Sequence, residues 1–211
     1  RAFVDSSRIK FADFNGDGKT DIYQVIGWDT SQSPSPDPDN VYLSQGDGSY
    51  QRVDGLVTRI GDTVNGAQLD IDRLKFADFN GDGRTDVYQI NGWGGYAFDK
   101  VYFAQADGTF SAAVNAVNTY ISDGVEEARV DLSRLKFGDF NGDGRTDLYY
   151  VKGGWGSTSS NTDVVYFSQA DSAGNLFASP VNGVTTAINT NRDRASVDLS
   201  RIVVGDFNAD G

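Results

Sequence analysis

Cysteine, histidine and methionine are all missing from this chain of 211 residues, and each absence closes off chemistry. Without Cys or His there is no disulfide, no thiolate nucleophile, no imidazole base and no zinc site of the usual ligands. A Ser-His-Asp triad is ruled out as well. Basic side chains are scarce: 18 Lys and Arg stand against 30 Asp and Glu, a formal net charge of −12. That balance disfavours a nucleic-acid partner, which needs clustered cations to neutralise phosphates. No apolar run approaches the roughly 18 residues of a membrane span, and no signal peptide stands at the start. The missing initiator Met leads to the expectation of a processed product or a segment of something longer. Lack of Cys leaves the redox compartment open.

What is present is a folded globular composition, 38% hydrophobic and 12% aromatic, with 25 Gly and only 4 Pro, which predicts many tight turns and no proline-rich linker. Above all, the chain repeats itself. DSSRIKFADFNGDGKTDIY begins at Asp5, DIDRLKFADFNGDGRTDVY at Asp70 and DLSRLKFGDFNGDGRTDLY at Asp131, and a fourth copy, DLSRIVVGDFNADG, runs from Asp198 to Gly211. The copies start 61 to 67 residues apart, which divides the chain into repeats at 1–69, 70–130 and 131–197 and the start of a fourth at 198–211. A final motif that stops midway adds to the expectation of a longer natural polypeptide.

Within each repeat the apolar residues alternate with period two over short segments, the pattern of strands. In the second repeat, strands are expected at residues 74–78, 86–90, 100–105 and 109–113, with a tight turn at Ala106-Asp107-Gly108. The fold class is therefore all-β, each repeat a four-stranded antiparallel meander about the size of a propeller blade. A single such sheet cannot bury both faces, so repeats must stack. Three and a fraction blades give an incomplete ring or a segment of a longer array, and further copies of the same repeat, from this chain or other subunits, are expected partners.

The loop between the first two strands gathers oxygen ligands at alternating positions. Asp13, Asn15, Asp17 and Asp21 occupy positions 1, 3, 5 and 9, with the backbone carbonyl of Lys19 at position 7. The second copy offers Asp78, Asn80, Asp82, the carbonyl of Arg84, and Asp86; the third Asp139, Asn141, Asp143, the carbonyl of Arg145, and Asp147; the fourth Asp206, Asn208 and Asp210. A hard cation such as Ca²⁺ takes six to eight oxygens, and a curled loop points alternate positions at one centre. Gly18, Gly83, Gly144 and Gly211 fall at position 6, where a sharp turn with positive φ suits glycine. Polar hairpin turns alone would explain Asp, Asn and Gly, but three mutually repelling carboxylates in nine residues point to a cation, one Ca²⁺ per complete repeat. The loop is not an EF-hand: position 12 is Gln24, Gln89 or Tyr150 rather than Glu.

The run from Phe137-Gly138 through Asp139-Phe140-Asn141-Gly142-Asp143-Gly144-Arg145-Thr146-Asp147-Leu148 resembles the FG-GAP/VCBS repeat of integrin α-subunit propellers, fungal integrin-like lectins and bacterial surface proteins. The resemblance covers all of the chain and implies calcium in the hairpin joining the first two strands. The Gly-Ala-Pro of the integrin version is missing, and Phe-Gly is Phe11-Ala12 and Phe76-Ala77 in two copies. These departures place the resemblance nearer the VCBS and lectin branch, without integrin-type ligand binding.

Trp28, Trp93 and Trp155 recur at one place in every repeat, each beside glycine. A meander alternates its turns between two ends, so the Trp loops and the connections at 54–69 and 114–130 are expected opposite the cation loops. Such a Trp stacks on a sugar ring or anchors a protein partner, or else plugs the gap between blades; the variable neighbours Asp29, Tyr96 and Ser157 speak for the plug. Arg8, Arg73, Arg134 and Arg201, each three residues after Asp5, Asp70, Asp131 or Asp198, read as ion pairs. Tyr23, Tyr42, Tyr88, Tyr102, Tyr149 and Tyr166 read as core or blade contacts, and residues 29–40 as an exposed excursion. With the clustered Asp assigned to cations, no catalytic residue is expected and the chain is not read as an enzyme. The function expected is a calcium-stabilised adhesion or recognition module of a bacterial protein, extracellular or on the cell surface, with a glycan or protein ligand on the Trp-loop face. The alternative is a structural repeat unit of an extracellular fibre or surface stalk with no dedicated ligand pocket.

Overall fold

The computed structural model describes residues 6–26, 39–54, 71–90, 99–112, 114–115, 132–151, 163–169, 176–178, 181–184, 202–205 and 207. Twelve short strands fall into three four-stranded antiparallel sheets, one per repeat. The first sheet is β1 (Ile9–Ala12), β2 (Asp21–Gln24), β3 (Asn40–Ser44) and β4 (Tyr50–Val53). The second is β5 (Leu74–Ala77), β6 (Asp86–Gln89), β7 (Lys100–Tyr102) and β8 (Val114–Asn115), and the third β9 (Leu135–Gly138), β10 (Asp147–Tyr150), β11 (Asp163–Tyr166) and β12 (Val181–Val184). In every sheet the strands lie side by side in chain order, a meander. The opening hairpins share one register: Phe11 pairs with Ile22, Phe76 with Val87, and Phe137 with Leu148. Among the described residues there is no α-helix; a single 3₁₀ turn (Ser6–Arg8, Ile71–Arg73, Leu132–Arg134) leads into each sheet.

Two strands of the second repeat depart from expectation, the third stopping at Tyr102 rather than at residue 105. The fourth strand of the second repeat is Val114–Asn115 rather than residues 109–113, and the earlier stretch makes only an isolated bridge between Ala104 and Phe110. The Ser111 hydroxyl accepts the Phe103 N–H at 3.0 Å, a side-chain bond that takes the place of a ladder bond and delays regular pairing.

The core lies between the sheets. One buried cluster joins Phe14, Tyr23, Val25 and Val41 of the first repeat to Leu74, Val87, Tyr102, Ala104 and Phe110 of the second. The next joins Phe79, Tyr88, Ile90 and Val101 to Leu135, Leu148, Val164, Tyr166, Leu176 and Phe177 of the third, and a smaller one sets Ile202 of the fourth against Tyr149, Val151 and Val165. Burial follows position in the stack: β2 alternates buried and half-buried, whereas all four residues of β6, flanked on both sides, are buried. The contact is the same twice over. Phe76 sits 6.2 Å from Phe14 and 5.5 Å from Tyr23, and Phe110 sits 6.1 and 5.7 Å from the same two rings. Phe137 and Phe177 stand in the same way against Phe79 and Tyr88, at 5.8 to 6.4 Å. These are separations at which aromatic rings attract beyond simple burial. The corresponding pair in the first repeat, Phe11 and Tyr50, is 65% and 46% exposed, so the blades form an open run rather than a closed ring.

Candidate metal centre

Each acidic loop is built around its first Asp. The Asp13 carboxylate accepts the N–H groups of Gly16 and Gly18, both at 2.7 Å, and that of Asp17 at 3.2 Å. Asp78 does the same with Gly81, Gly83 and Asp82, and Asp139 with Gly142, Gly144 and Asp143. The chain curls tightly enough for this because the glycines at positions 4 and 6 take φ of 74° to 80°, in all three loops. Asn15 Oδ1 then accepts the Asp17 N–H at 3.1 Å and Asp17 Oδ1 the Lys19 N–H at 2.9 Å, two successive Asx turns that recur in the other loops. Alternate residues of the loop are thereby held inward.

Position 9 behaves differently. Asp21, Asp86 and Asp147 are fully buried. One carboxylate oxygen accepts the N–H of Phe14, Phe79 or Phe140 at 3.0 Å, and the other that of Ser44, Ala104 or Ser168 at 2.8 Å. Each of these Asp residues pins the acidic loop to the turn that follows the third strand, so both lie at one end of the sheet. Burial pushes all three carboxyls above the ordinary range against the opposing backbone bonds, Asp86 to about 7. Asp86 has protein on both sides, since its repeat is the middle one.

Position 7 contributes more than the carbonyl that the sequence suggested. Lys19 Nζ pairs with Asp17 at 2.7 Å, Arg145 Nη2 with Asp143 at 2.6 Å, and Arg84 Nη2 with Asp82. The Lys19 bond lowers the Asp17 carboxyl and raises the amine in return. Arg84 Nε also donates to the Ala104 carbonyl, and Arg145 Nε to that of Ser168. The two arginines reach the preceding loop too: a Cβ on Gly16 would lie 2.9 Å from Arg84 Cγ, and one on Gly81 3.0 Å from Arg145 Cγ. Beside them the Thr85 N–H donates to the Asp13 carbonyl and the Thr146 N–H to that of Asp78, both at 2.8 Å. Successive loops are thus nested.

In kind, the donors of each loop are carboxylate, carboxamide and carbonyl oxygens, the set that a hard cation takes. Among the described residues, no group of three or more acidic side chains is drawn together tightly enough to hold a metal ion. The position-5 Asp is instead turned to the loop's own cation. Asp206, Asn208 and Asp210 lie outside the described residues, as do Gly211 and all three tryptophans, Trp28, Trp93 and Trp155.

At the opposite end the sheets share a second device that the sequence reading missed. The hydroxyls of Tyr23, Tyr88 and Tyr149 donate to the buried carboxylates of Asp39, Asp99 and Asp163 at 2.6 to 2.8 Å. Asp39 also accepts the Ile26 N–H at 2.9 Å, so the segment at 29–40 ends in a buried anchor; the excursion expected over residues 29–38 lies outside the described residues. Arg8, Arg73 and Arg134 donate to the carbonyls of Ile26, Ile90 and Val151; Asp5, Asp70, Asp131 and Asp198, the ion-pair partners expected from sequence, lie outside the described residues, with Arg201. A recurring Asp two residues before Val-Tyr, at Asp39, Asp99 and Asp163, was the available signal for the Tyr–Asp pairs.

The family model for FG-GAP-like repeats matches residues 13–89 and 78–150, without resolving a finer branch. No curated protein matches the chain. Among solved structures, a chain of the Photorhabdus luminescens Tc holotoxin pore is similar in fold, with a TM-score of 0.51 and 20% identity over 83% of the present chain. The match spans 7% of that much longer chain.

Proposed function

The chain belongs to the FG-GAP-like repeat family, and from that premise we propose a calcium-stabilised repeat module of an extracellular or cell-surface protein, bacterial in origin, whose work is to stack propeller-type blades into a rigid scaffold. The observation that carries this reading is the twice-used joint between repeats, where the Thr N–H, the Arg stem and two aromatic rings of one blade engage the loop and the Tyr of the blade before it. Ca²⁺ would be held by the oxygens of Asp13, Asn15, Asp17, the Lys19 carbonyl and Asp21, and by their counterparts in the next two loops. When bound it would supply positive charge to a chain whose formal balance is −12. With a dissociation constant on the order of 10⁻⁴ M, millimolar calcium stabilises by about 1.4 kcal/mol per site. Sites of that strength stay largely empty at cytosolic calcium levels, which supports an extracellular location. We assign the chain no catalytic role.

The test is a thermal melt and a calorimetric titration in calcium and in EDTA. A melting temperature that rises with calcium, together with a binding heat for about three ions per chain, supports the reading; the same melt in both buffers and no heat would sink the calcium part of it.

A recognition role on the Trp-loop face is the second reading, favoured by the fixed bases of those loops. Each base is held by an Arg-to-carbonyl bond and a buried Tyr–Asp pair. Replacing Trp93 by Ala should abolish glycan-array binding and leave the melt nearly unchanged; loss of folding instead would assign the side chain to blade packing.

A further inference from the structure

Asn followed by Gly occurs six times in the chain, three of them at positions 3 and 4 of the acidic loops: Asn15-Gly16, Asn80-Gly81 and Asn141-Gly142. Glycine after asparagine leaves the backbone nitrogen unhindered. That nitrogen can attack the side-chain carboxamide carbon, so that a C–N bond forms, the C–NH₂ bond breaks and ammonia leaves carrying the displaced proton. Solvent water then opens the cyclic imide to aspartate or to isoaspartate. We propose that these three asparagines are deamidation sites held shut by the loop's own hydrogen bonds, and that Asn141 is the first of them to react.

The reacting groups are all tied. The nucleophile, the Gly16 N–H, is bound to Asp13 Oδ1 at 2.7 Å, and the Gly81 and Gly142 N–H groups to Asp78 and Asp139 at the same distance. A carboxylate in that place opposes loss of the amide proton, because it disfavours a second negative charge beside it. The electrophile is fixed as well: Asn15 Oδ1 accepts the Asp17 N–H, while its Nδ2 donates to Asp17 Oδ2 at 3.2 Å, and Asn80 and Asn141 repeat both bonds. Reaction therefore needs the loop to open.

Opening is not equally easy in the three loops. The first two lie under the next repeat, with the Arg84 stem over Gly16, the Arg145 stem over Gly81, and the Thr85 and Thr146 N–H groups on the Asp13 and Asp78 carbonyls. There Asp13, Asn15, Asp78 and Asn80 are half-buried, whereas Asp139 and Asn141 of the third loop are exposed. The product damages its own loop: aspartate loses the Nδ2 donor to position 5 and adds a carboxylate, and isoaspartate inserts a methylene into the curl. This inference does not depend on calcium.

The experiment follows all six pairs by peptide mapping and mass spectrometry at mildly alkaline pH, in calcium, in EDTA, and in urea. In urea Asn65, Asn91 and Asn182 set the intrinsic rate. In the folded chain Asn15 and Asn80 should react at least about tenfold more slowly than in urea, the scale of one lost hydrogen bond to a charged group, with Asn141 between the two. Arg84→Ala should bring Asn15 towards the Asn141 rate. Loop asparagines reacting at the urea rate in a chain that circular dichroism shows to be folded would overturn the proposal, as would protection confined to calcium while the fold persists in EDTA. Equal rates at the three sites, or an Asn15 rate unmoved by Arg84→Ala, would overturn the order assigned to them.

Discussion

Asp86 shows how one residue can set the pH response of a blade. Its carboxylate is fully buried and accepts two backbone N–H bonds, yet burial still pushes its pKa from 3.8 to about 7. Asp21 and Asp147 move in the same direction for the same reason. A carboxyl raised on folding favours the proton, so its contribution to stability is fully present below about 3.8 and is lost as pH rises through about 7. The carboxyls held low, Asp17, Asp47, Asp107 and Asp139, act with the opposite sign and only as pH falls below about 4. Between pH 5.5 and 8, about the window where the raised group titrates, the buried position-9 carboxyls therefore decide the slope. Without divalent cation the chain should be more stable, and so melt at a higher temperature, at the acid end of that range, with a stability difference on the order of a few kcal/mol at most. Asp86→Asn should flatten the profile, because the amide carries no proton to lose there. A chelated melting temperature that climbs with pH across the same range would refute this account of Asp86.

At the scale of the element, the joint between blades offers a matched comparison. Phe11 and Phe76 hold the same place in their first strands and pair with Ile22 and Val87 in the same register. Phe76 packs against Phe14 and Tyr23 of the blade before it, while Phe11 is largely exposed. Phe76→Ala should cost about 3 kcal/mol, the low end for a phenylalanine since the ring is half-buried, whereas Phe11→Ala should stay within about 0.5 kcal/mol. Urea denaturation midpoints of the two variants check this, and equal losses would mean that the ring does not derive its value from the neighbouring blade. The same contrast explains what was legible in the sequence. Strand positions, the opening hairpin and the positive-φ glycine at position 6 could be read from a single repeat, because they depend on alternation and on turn chemistry. The arginine stem over the preceding loop and the aromatic joint could not, because each joins residues of different repeats whose side chains look unremarkable one repeat at a time; the Tyr88–Asp99 bond lies within one repeat, and its signal shows only when the repeats are compared. The displaced fourth strand was missed for a related reason: Phe110 has strand-like neighbours but turns towards the first repeat, where it meets Phe14 and Tyr23.

For the whole molecule, the arrangement approximates a one-dimensional stack in which every repeat draws stability from itself and from its immediate neighbours. The first repeat has one described joint, with the second. The second has two, with nested loops and aromatic contacts on both sides. The third is joined to the second and, among the described residues, meets a short segment of the fourth through Ile202 and through the approach of Val204 to Gly138. Opening free energies in such a stack are graded rather than uniform. Amide hydrogen exchange should then be slowest in β6 and β7 and faster in β1 and β4, whose sheet has no neighbour against Phe11 and Tyr50 among the described residues. The gradient must follow joints rather than local sequence, since β2 and β6 read Asp-Ile-Tyr-Gln and Asp-Val-Tyr-Gln and are nearly identical. Phe76→Ala, by weakening the first joint, should speed exchange in the first repeat more than in the third. Protection that is the same in all three sheets, or that falls everywhere in parallel in the variant, would mean that the chain opens as one cooperative unit and that the joints do not set its stability.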